Sequence, residues 1–290
     1  MERFAQFRFL AFALALVTSR ALATGVEFEL LAASHERFSR PHDIVLSPDG
    51  SSLFVADNGN HRIVVLNAST LEEIFNFGQG EVAEPHDVAF DPEGRLLVAD
   101  TGNSRIAIYA LEGTSADLVA TLAGGIRRPE GVAAHPDGRV FATGAGSGNL
   151  VVYRDGNPVG ERSGFSSPHD VEFDAEGLIW VADSGNDRMV AVNEALEITT
   201  VLKGIPYAFR GPRYMDFDEA GRMFVADKYS HRILVIDRDG GVLSTLGGGK
   251  AAKGAGVFDR PEGVELRGNR AWFSDTYNDR IVLYRIEITP

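Results

Sequence analysis

The chain of 290 residues has no cysteine. Without thiols it can form no disulfide, no thiolate metal site and no sulfur nucleophile, so an extracytoplasmic domain here must stand on its buried core alone. It also lacks any apolar run long enough to cross a bilayer as a helix, which takes about 20 residues. No 3.6-residue periodicity of comparable strength to its strand signals appears. Basic residues are in deficit: 28 Lys plus Arg against 41 Asp plus Glu, a net charge of −13. An acidic surface repels phosphate backbones and anionic lipid, which argues against nucleic-acid and membrane-surface partners and is compatible with bound cations.

What is present begins with an address. Arg3 and Arg8, the apolar run Phe9 to Val17 and the small-residue stretch Ala21-Leu22-Ala23 predict a signal peptide over 1–23, export to the periplasm or medium, and a mature chain starting near Thr24. Loss of that segment removes three arginines and one glutamate, leaving the remainder more acidic. Residues 24–290 are long enough for one domain with a sizeable core.

The sequence then restarts six times, at Pro41-His42-Asp43, Pro85-His86-Asp87, Pro129-Glu130-Gly131, Pro168-His169-Asp170, Pro212-Arg213-Tyr214 and Pro261-Glu262-Gly263. Repeats of about 40–50 residues built from short strands and turns are the mark of propeller blades. Each restart leads into a strand, a tight turn such as Pro48-Asp49-Gly50, and a second strand such as Leu178-Ile179-Trp180-Val181-Ala182 whose unbroken apolar character suits burial on both faces. A second turn recurs in five repeats, as in Asp57-Asn58-Gly59-Asn60-His61-Arg62 and Asp275-Thr276-Tyr277-Asn278-Asp279-Arg280. A catalytic group is needed once and a turn residue once per blade, so these Asp, Asn and Arg residues are read as a turn lock. In that setting His61 and His231 are expected to be solvated surface. The third repeat has Thr143-Gly144-Ala145-Gly146-Ser147-Gly148-Asn149 instead, either a decayed turn or a close approach of a ligand to backbone, with decay favoured. The last repeat has no fourth strand of its own, and Val26-Glu27-Phe28-Glu29-Leu30-Leu31 has strand composition. The expectation is an all-β, six-bladed propeller of four-stranded antiparallel blades, closed by that N-terminal strand pairing into the last blade.

Inner strands of a propeller line its channel, so the residues after the six prolines should meet near one mouth. Read around the ring they are His42, His86, Glu130, His169, Arg213 and Glu262. Three imidazoles and two carboxylates suit a divalent cation such as zinc, which takes three N or O ligands and leaves a position for water or substrate. The following ring is Asp43, Asp87, Gly131, Asp170, Tyr214 and Gly263. Against the metal reading stands a plainer one, in which each Asp bonds backbone amides and the histidines line a wet channel.

Pro-His-Asp before a strand, then Val-Ala-Asp and Asn-x-Arg-Ile, resembles the NHL-repeat family, and the Pro-His repeats resemble the peptidyl-α-hydroxyglycine α-amidating lyases. That resemblance implies a six-bladed propeller that cleaves a C–N bond and releases glyoxylate. It implies zinc on His42, His86 and His169, calcium in the channel on Asp170 with Asp43 or Asp87, and a catalytic tyrosine at Tyr277 or Tyr229 in an Asp-x-Tyr context. Arg213 would pair with the substrate carboxylate. The three histidines fall on blades one, two and four, whereas the family draws its ligands from alternating blades. A non-catalytic propeller binding a small molecule or peptide at the channel mouth is the competing reading. A gluconolactonase-like hydrolase with calcium near Glu130 and Glu262 is a third. A monomer is expected in each case.

Overall fold

The structure is a computed structural model that describes residues 25–35 and 38–289; the expected signal segment lies outside them. Six four-stranded antiparallel sheets form the blades, each ordered from the channel outward in chain order except the last. Blade 1 comprises Pro41–Leu46, Ser52–Asp57, Arg62–Asn67 and Glu73–Phe77. The inner strands of blades 2 to 5 are Pro85–Phe90, Pro129–Ala134, Val171–Phe173 and Pro212–Phe217. Blade 6 runs Val264–Arg267, Arg270–Asp275 and Arg280–Thr289, and its outermost strand is Gly25–Ala33 from the other end of the chain. Val26 pairs with Ile288 and Leu30 with Tyr284. The six-bladed, N-terminally closed ring read from the repeats is the observed architecture.

Burial follows strand position. The two middle strands of each blade are sandwiched between neighbouring blades, so Leu53, Val55, Ile63 and Val64 are all inaccessible, while outer strands such as Glu73–Phe77 alternate between exposed and half-buried residues. The core is therefore six clusters lying between adjacent blades. One of them joins Trp272, Ile281 and Leu283 of blade 6 to Ile44, Leu46 and Leu53 of blade 1.

The recurring turn is a lock, as expected. Asp57 Oδ2 accepts from Arg62 Nε at 2.8 Å and Asn60 Nδ2 at 2.9 Å, while its Oδ1 accepts from the Ser39 backbone N–H at 2.8 Å. Asp100, Asp183, Asp227 and Asp275 repeat the arrangement with Ala83, Ser166, Arg210 and Asp259. Each lock thus ties a blade's second turn to the segment that enters the same blade. The third blade has no lock aspartate, yet its turn is not loose. Ala145 N–H donates to Arg128 O and Gly146 N–H to Arg127 O, both at 3.0 Å, and Asn149 Nδ2 donates to Gly125 O at 2.8 Å.

A second set of bonds crosses between blades. The residue ending each 3-10 turn has left-handed backbone, and its side chain accepts the N–H of the pre-proline residue of the next blade. The pairs are His61 to Glu84 (2.9 Å), Ser104 to Arg128 (3.2 Å), Asp187 to Gly211 (2.7 Å), His231 to Arg260 (3.1 Å) and, closing the circle, Asp279 to Arg40 (2.7 Å). Those pre-proline residues are themselves left-handed, with φ between 44° and 51° at Arg40, Glu84, Arg128, Ser167 and Arg260. His61 and His231 are therefore not merely solvated: Nδ1 of each is an inter-blade acceptor.

Ring closure rests on the outermost strand of blade 6, which covers Tyr284 and Ile286 and removes an open sheet edge. Deletion of Val26–Leu31 is expected to lower the melting temperature sharply and to cause aggregation on heating, followed by circular dichroism and light scattering. An unchanged melting temperature would contradict closure.

Candidate functional site at the channel mouth

The prolines at the strand starts point the residues after them toward the axis, because pairing with the second strand is interrupted there. The register shifts between Pro41 and Ile44, between Pro85 and Val88 and between Pro212 and Met215. Over that irregular step the side chains do not alternate regularly, and both the Pro+1 and Pro+2 residues are buried in the channel. His42, His86, Glu130, His169, Arg213 and Glu262 gather at one mouth, as the repeat predicts. Turn residues of blades 5 and 6 join them: Lys228 and Tyr229 from one, Tyr277 from the other.

These side chains form two ion-paired groups. His42 and His86 meet edge to face, with ring centroids 4.3 Å apart. Glu262 lies 2.5 Å from Lys228 Nζ and 3.3 Å from His42 Nδ1. Glu130 contacts His169 Nε2 and has His86 Nε2 at 3.9 Å. Nδ1 of His86 faces the Glu84 carbonyl at 2.9 Å, and Nδ1 of His169 faces that of Ser167 at 2.9 Å. A carbonyl oxygen can only accept, so facing it calls for a proton on each Nδ1; Asn58 Nδ2 also lies 3.2 Å from His86 Nδ1, and Nε2 of both rings is turned toward Glu130. Burial, outweighing the nearby carboxylates, holds His42 well below the usual imidazole range and lowers His86, so both are neutral at pH 7. Burial works in the opposite sense on the two glutamates, but their cationic and imidazole neighbours outweigh it. Glu130 is held at about 2, chiefly by His169, then His86 and Arg213. Glu262 is held well below the carboxylate range by His42, Lys228 and Arg213.

Arg213 is different. Only 8% exposed, it donates through one terminal nitrogen to the Tyr229 hydroxyl at 3.4 Å, while Nε and the other terminal nitrogen have no hydrogen-bond partner. A buried guanidinium with open donors marks a place for an oxygen acceptor.

The Pro+2 aspartates go elsewhere. Tyr214, from the fifth blade, reaches across the channel, and its hydroxyl shares its one proton between the carbonyls of His86 (3.1 Å) and Glu130 (2.9 Å), three blades and two blades away along the chain. Its ring forms the floor of the mouth. Beyond it is a cavity of about 210 Å³ lined by Asp43, Asp87, Asp170, Glu172, Asp216 and Glu265. Here carboxylates staple blades together. Asp87 accepts from Val132 N–H (2.6 Å), Asp170 from Met215 N–H (2.7 Å) and Asp216 from Leu266 N–H (2.6 Å), each in the next blade. This matches the plainer reading of the Pro+2 aspartates. Burial raises all of these acids, Asp87 to about 6, Glu172 to about 7 and Glu265 to about 8.

The two residue sets to which the resemblance gives zinc and calcium lie on opposite sides of Tyr214. His42, His86 and His169 share the mouth, while Asp43, Asp87 and Asp170 line the chamber beyond Tyr214. In the mouth, the axial nitrogens are turned onto Glu130, and His42 onto Glu262. Among the described residues no group of three or more His, Asp or Glu side chains is disposed to hold a metal ion. As arranged, these side chains do not fit the three-histidine zinc cage, and the aspartates do not fit a calcium cage. Tyr229 lies beside Arg213, and Tyr277 joins it through Lys228 between the two rings. Lys228 and Glu262 form a buried pair at the same mouth, and a sequence signal for Lys228 exists: the turn position it fills is Asn58, Thr101, Ser184 and Thr276 in other blades.

Comparison with known proteins supports the fold. NHL repeats match residues 38–66 and 83–109. No curated protein matches the chain. Among solved structures, virginiamycin B lyase from Staphylococcus aureus, a catalytically inactive histidine-to-alanine variant with quinupristin, superposes with TM-score 0.65 at 13% identity, over 90% of this chain and 99% of that one. An auxiliary nutrient binding protein from Bacteroides ovatus gives 0.69 at 14%, over 91% and 77%. A gluconolactonase from Xanthomonas campestris gives 0.68 at 14%, over 91% of both. At such identities the likeness is one of fold.

Two outcomes follow from the floor and the chamber. Tyr214→Phe removes the one proton shared by two buried carbonyls and should cost about 1–3 kcal/mol in denaturant unfolding; no measurable loss would show that the floor is not held by it. For the chamber acids the folded pKa lies above the unfolded one, so their contribution is fully present below about pH 4 and is lost as pH rises through 6 to 8. Thermal melts of Asp87→Asn and Glu172→Gln should lose part of the stability decline seen in the parent between pH 5 and 8.

Proposed function

We propose that the mouth binds a small molecule or peptide end through a carboxylate and acts on it by acid–base chemistry of the carbon–nitrogen lyase type. The observation that carries this reading is the buried Arg213 guanidinium with two open donors. Its neighbours Glu130 and Glu262 are each engaged by imidazole or Lys228, which leaves Arg213 to an incoming oxygen pair. A guanidinium fork matches a carboxylate in two parallel bonds, which fixes the orientation as well as the position of the bound group.

A substrate so placed lies beside His86, neutral through burial and with Nε2 toward the axis, which suits it to accept a proton from a substrate hydroxyl. For an α-hydroxyglycine end, loss of that hydroxyl proton forms the aldehyde carbonyl of glyoxylate as the C–N bond breaks, and the departing amide nitrogen takes up a proton. Tyr229, whose hydroxyl accepts from Arg213 and is therefore free to donate, is placed for that second transfer. Tyr277 lines the same side of the mouth. Zinc on the histidines and calcium on the aspartates stay outside this scheme, since the side chains as arranged form no cage for either.

A binding-only propeller is the second reading. It is favoured by the ion pairs themselves, which tie up the carboxylates and one imidazole that a catalyst would have to release.

Incubation with α-hydroxyhippurate should yield glyoxylate, and hippurate should bind by calorimetry. Arg213→Ala should weaken both by about 10- to 100-fold, the effect of losing a charged hydrogen bond. Binding of hippurate without turnover selects the binding-only reading, and hydrolysis of gluconolactone instead would move the chain to the lactonase class. Elemental analysis of the same preparation checks the two metals: stoichiometric zinc that disappears in His86→Ala would bring metal chemistry back to the mouth.

A further inference from the structure

Two blades depart from the repeat at one position. The second residue of the 3-10 turn is Gly59, Gly102 and Gly185 in blades 1, 2 and 4, where a Cβ would come within 2.3–2.8 Å of Ser39, Ala83 and Ser166. Packing therefore demands glycine. In blades 5 and 6 the same position holds Tyr229 and Tyr277, and their backbone N–H groups make the equivalent bonds, to Arg210 O and Asp259 O at 3.1 Å. Blade 5 makes room by placing Gly211 under the Tyr229 ring, 2.7 Å from where its Cβ would be. Two adjacent blades have thus exchanged a glycine required elsewhere for a ring, 45% exposed at Tyr229 and 38% at Tyr277.

The rings are interleaved with cations. Arg213 lies 5.8 Å from the Tyr229 centroid, and Lys228 lies 5.7 Å from Tyr229 and 5.3 Å from Tyr277. Arg260 completes the series at 4.5 Å from Tyr277. The result is a ladder of three cations and two rings running from the floor of the mouth to its rim. Among the described residues Lys228 has Glu262 as a partner, while neither Arg213 nor Arg260 makes an ion pair. This strip of excess positive charge sits on a chain whose net charge is −13.

We propose that the ladder binds an acidic peptide, with one carboxylate on Arg213 at the inner end and a second on Arg260 at the rim. The inference rests on the carboxylate reading of the mouth and names the ligand class. Charge complementarity calls for more than one acidic group, because the two unpaired cations stand at opposite ends of the ladder. Each ring already has two cations against it, which leaves little free ring face for stacking a sugar or a base and favours a chain laid along the ring edges. Side chains on one face of an extended peptide recur about every 6.8 Å, so a short acidic segment carries a row of carboxylates that can lie along a row of cations.

The probes are N-acetyl-triglutamate, N-acetyl-triglutamine with a free C-terminus, and the same triglutamine amidated, titrated calorimetrically into the intact protein at low and high salt. The acidic peptide should bind about tenfold or more tighter than the triglutamine acid, a gain that shrinks with salt. The gain should vanish in Arg260→Ala, be largely kept in Arg260→Lys, and leave triglutamine-acid binding unchanged in both. Arg260 is at the rim, and equal melting temperatures for parent and variants establish that the fold is intact. Equal affinity for the acidic and neutral peptides, or a gain that survives Arg260→Ala, would overturn the ladder as a binding strip while leaving the Arg213 carboxylate site standing. No preference for the free over the amidated terminus would remove the Arg213 site and the ladder together. Tighter binding of a sulfated oligosaccharide that displaces the acidic peptide would overturn the peptide assignment.

Discussion

A ring of blades holds its shape only if each blade is fixed in angle to the next, and in this protein that angle is set by hydrogen bonds donated from backbone. At the mouth, the side chain ending one turn captures the pre-proline N–H of the following blade. Deeper in, a carboxylate captures an N–H of the following inner strand. Hydrophobic packing between blades is strong but not directional, and it would tolerate small rotations that these bonds do not. The same bonds hold the pre-proline residues in left-handed backbone and so aim the next side chain at the axis. The functional side chains converge because the blades are clipped.

The channel then sustains two opposite electrostatic regimes a short distance apart. Above Tyr214, imidazoles, Lys228 and Arg213 keep Glu130 and Glu262 ionised in spite of burial. Below it, burial outweighs every other influence on the carboxylates, Arg267 beside Glu265 included, and drives them toward the protonated form. Tyr214 feels both: burial first, then Asp87 and Asp43 below and Glu262 and Glu130 above, push its hydroxyl well above the usual range and keep it a donor. A single phenol whose one proton is shared by carbonyls of two other blades is a strut across the channel.

Much of this was legible in the residues. The prolines at regular steps, the glycine turns and the locks, which pair an Asp with an Arg five residues on, carry blade count and strand order because each has a local cause repeated six times or five. Val26–Leu31 was legible as a closing strand because blade 6 ran out of chain. The convergence of His42, His86, Glu130, His169, Arg213 and Glu262 was legible too, since symmetry brings equivalent positions to one mouth. Which atoms face which was not. The pairing of His169 with Glu130 and of Lys228 with Glu262 depends on rotamers across blades, whereas the division of the histidines from Asp43, Asp87 and Asp170 was already visible as two successive rings. The role of Tyr214 had no signal beyond its place in the ring, because its partners are backbone carbonyls that any residue could supply. The two tyrosines in place of glycine did carry a signal, as departures from a rule the other turns obey.

The crossing hydroxyl also links two environments. Tyr214 reaches carbonyls of blades 2 and 3 from blade 5 and feels the carboxylates of both the mouth and the acidic chamber. A change of charge on either side of it therefore acts on the same phenol, so the two ends of the channel are electrostatically coupled through one residue.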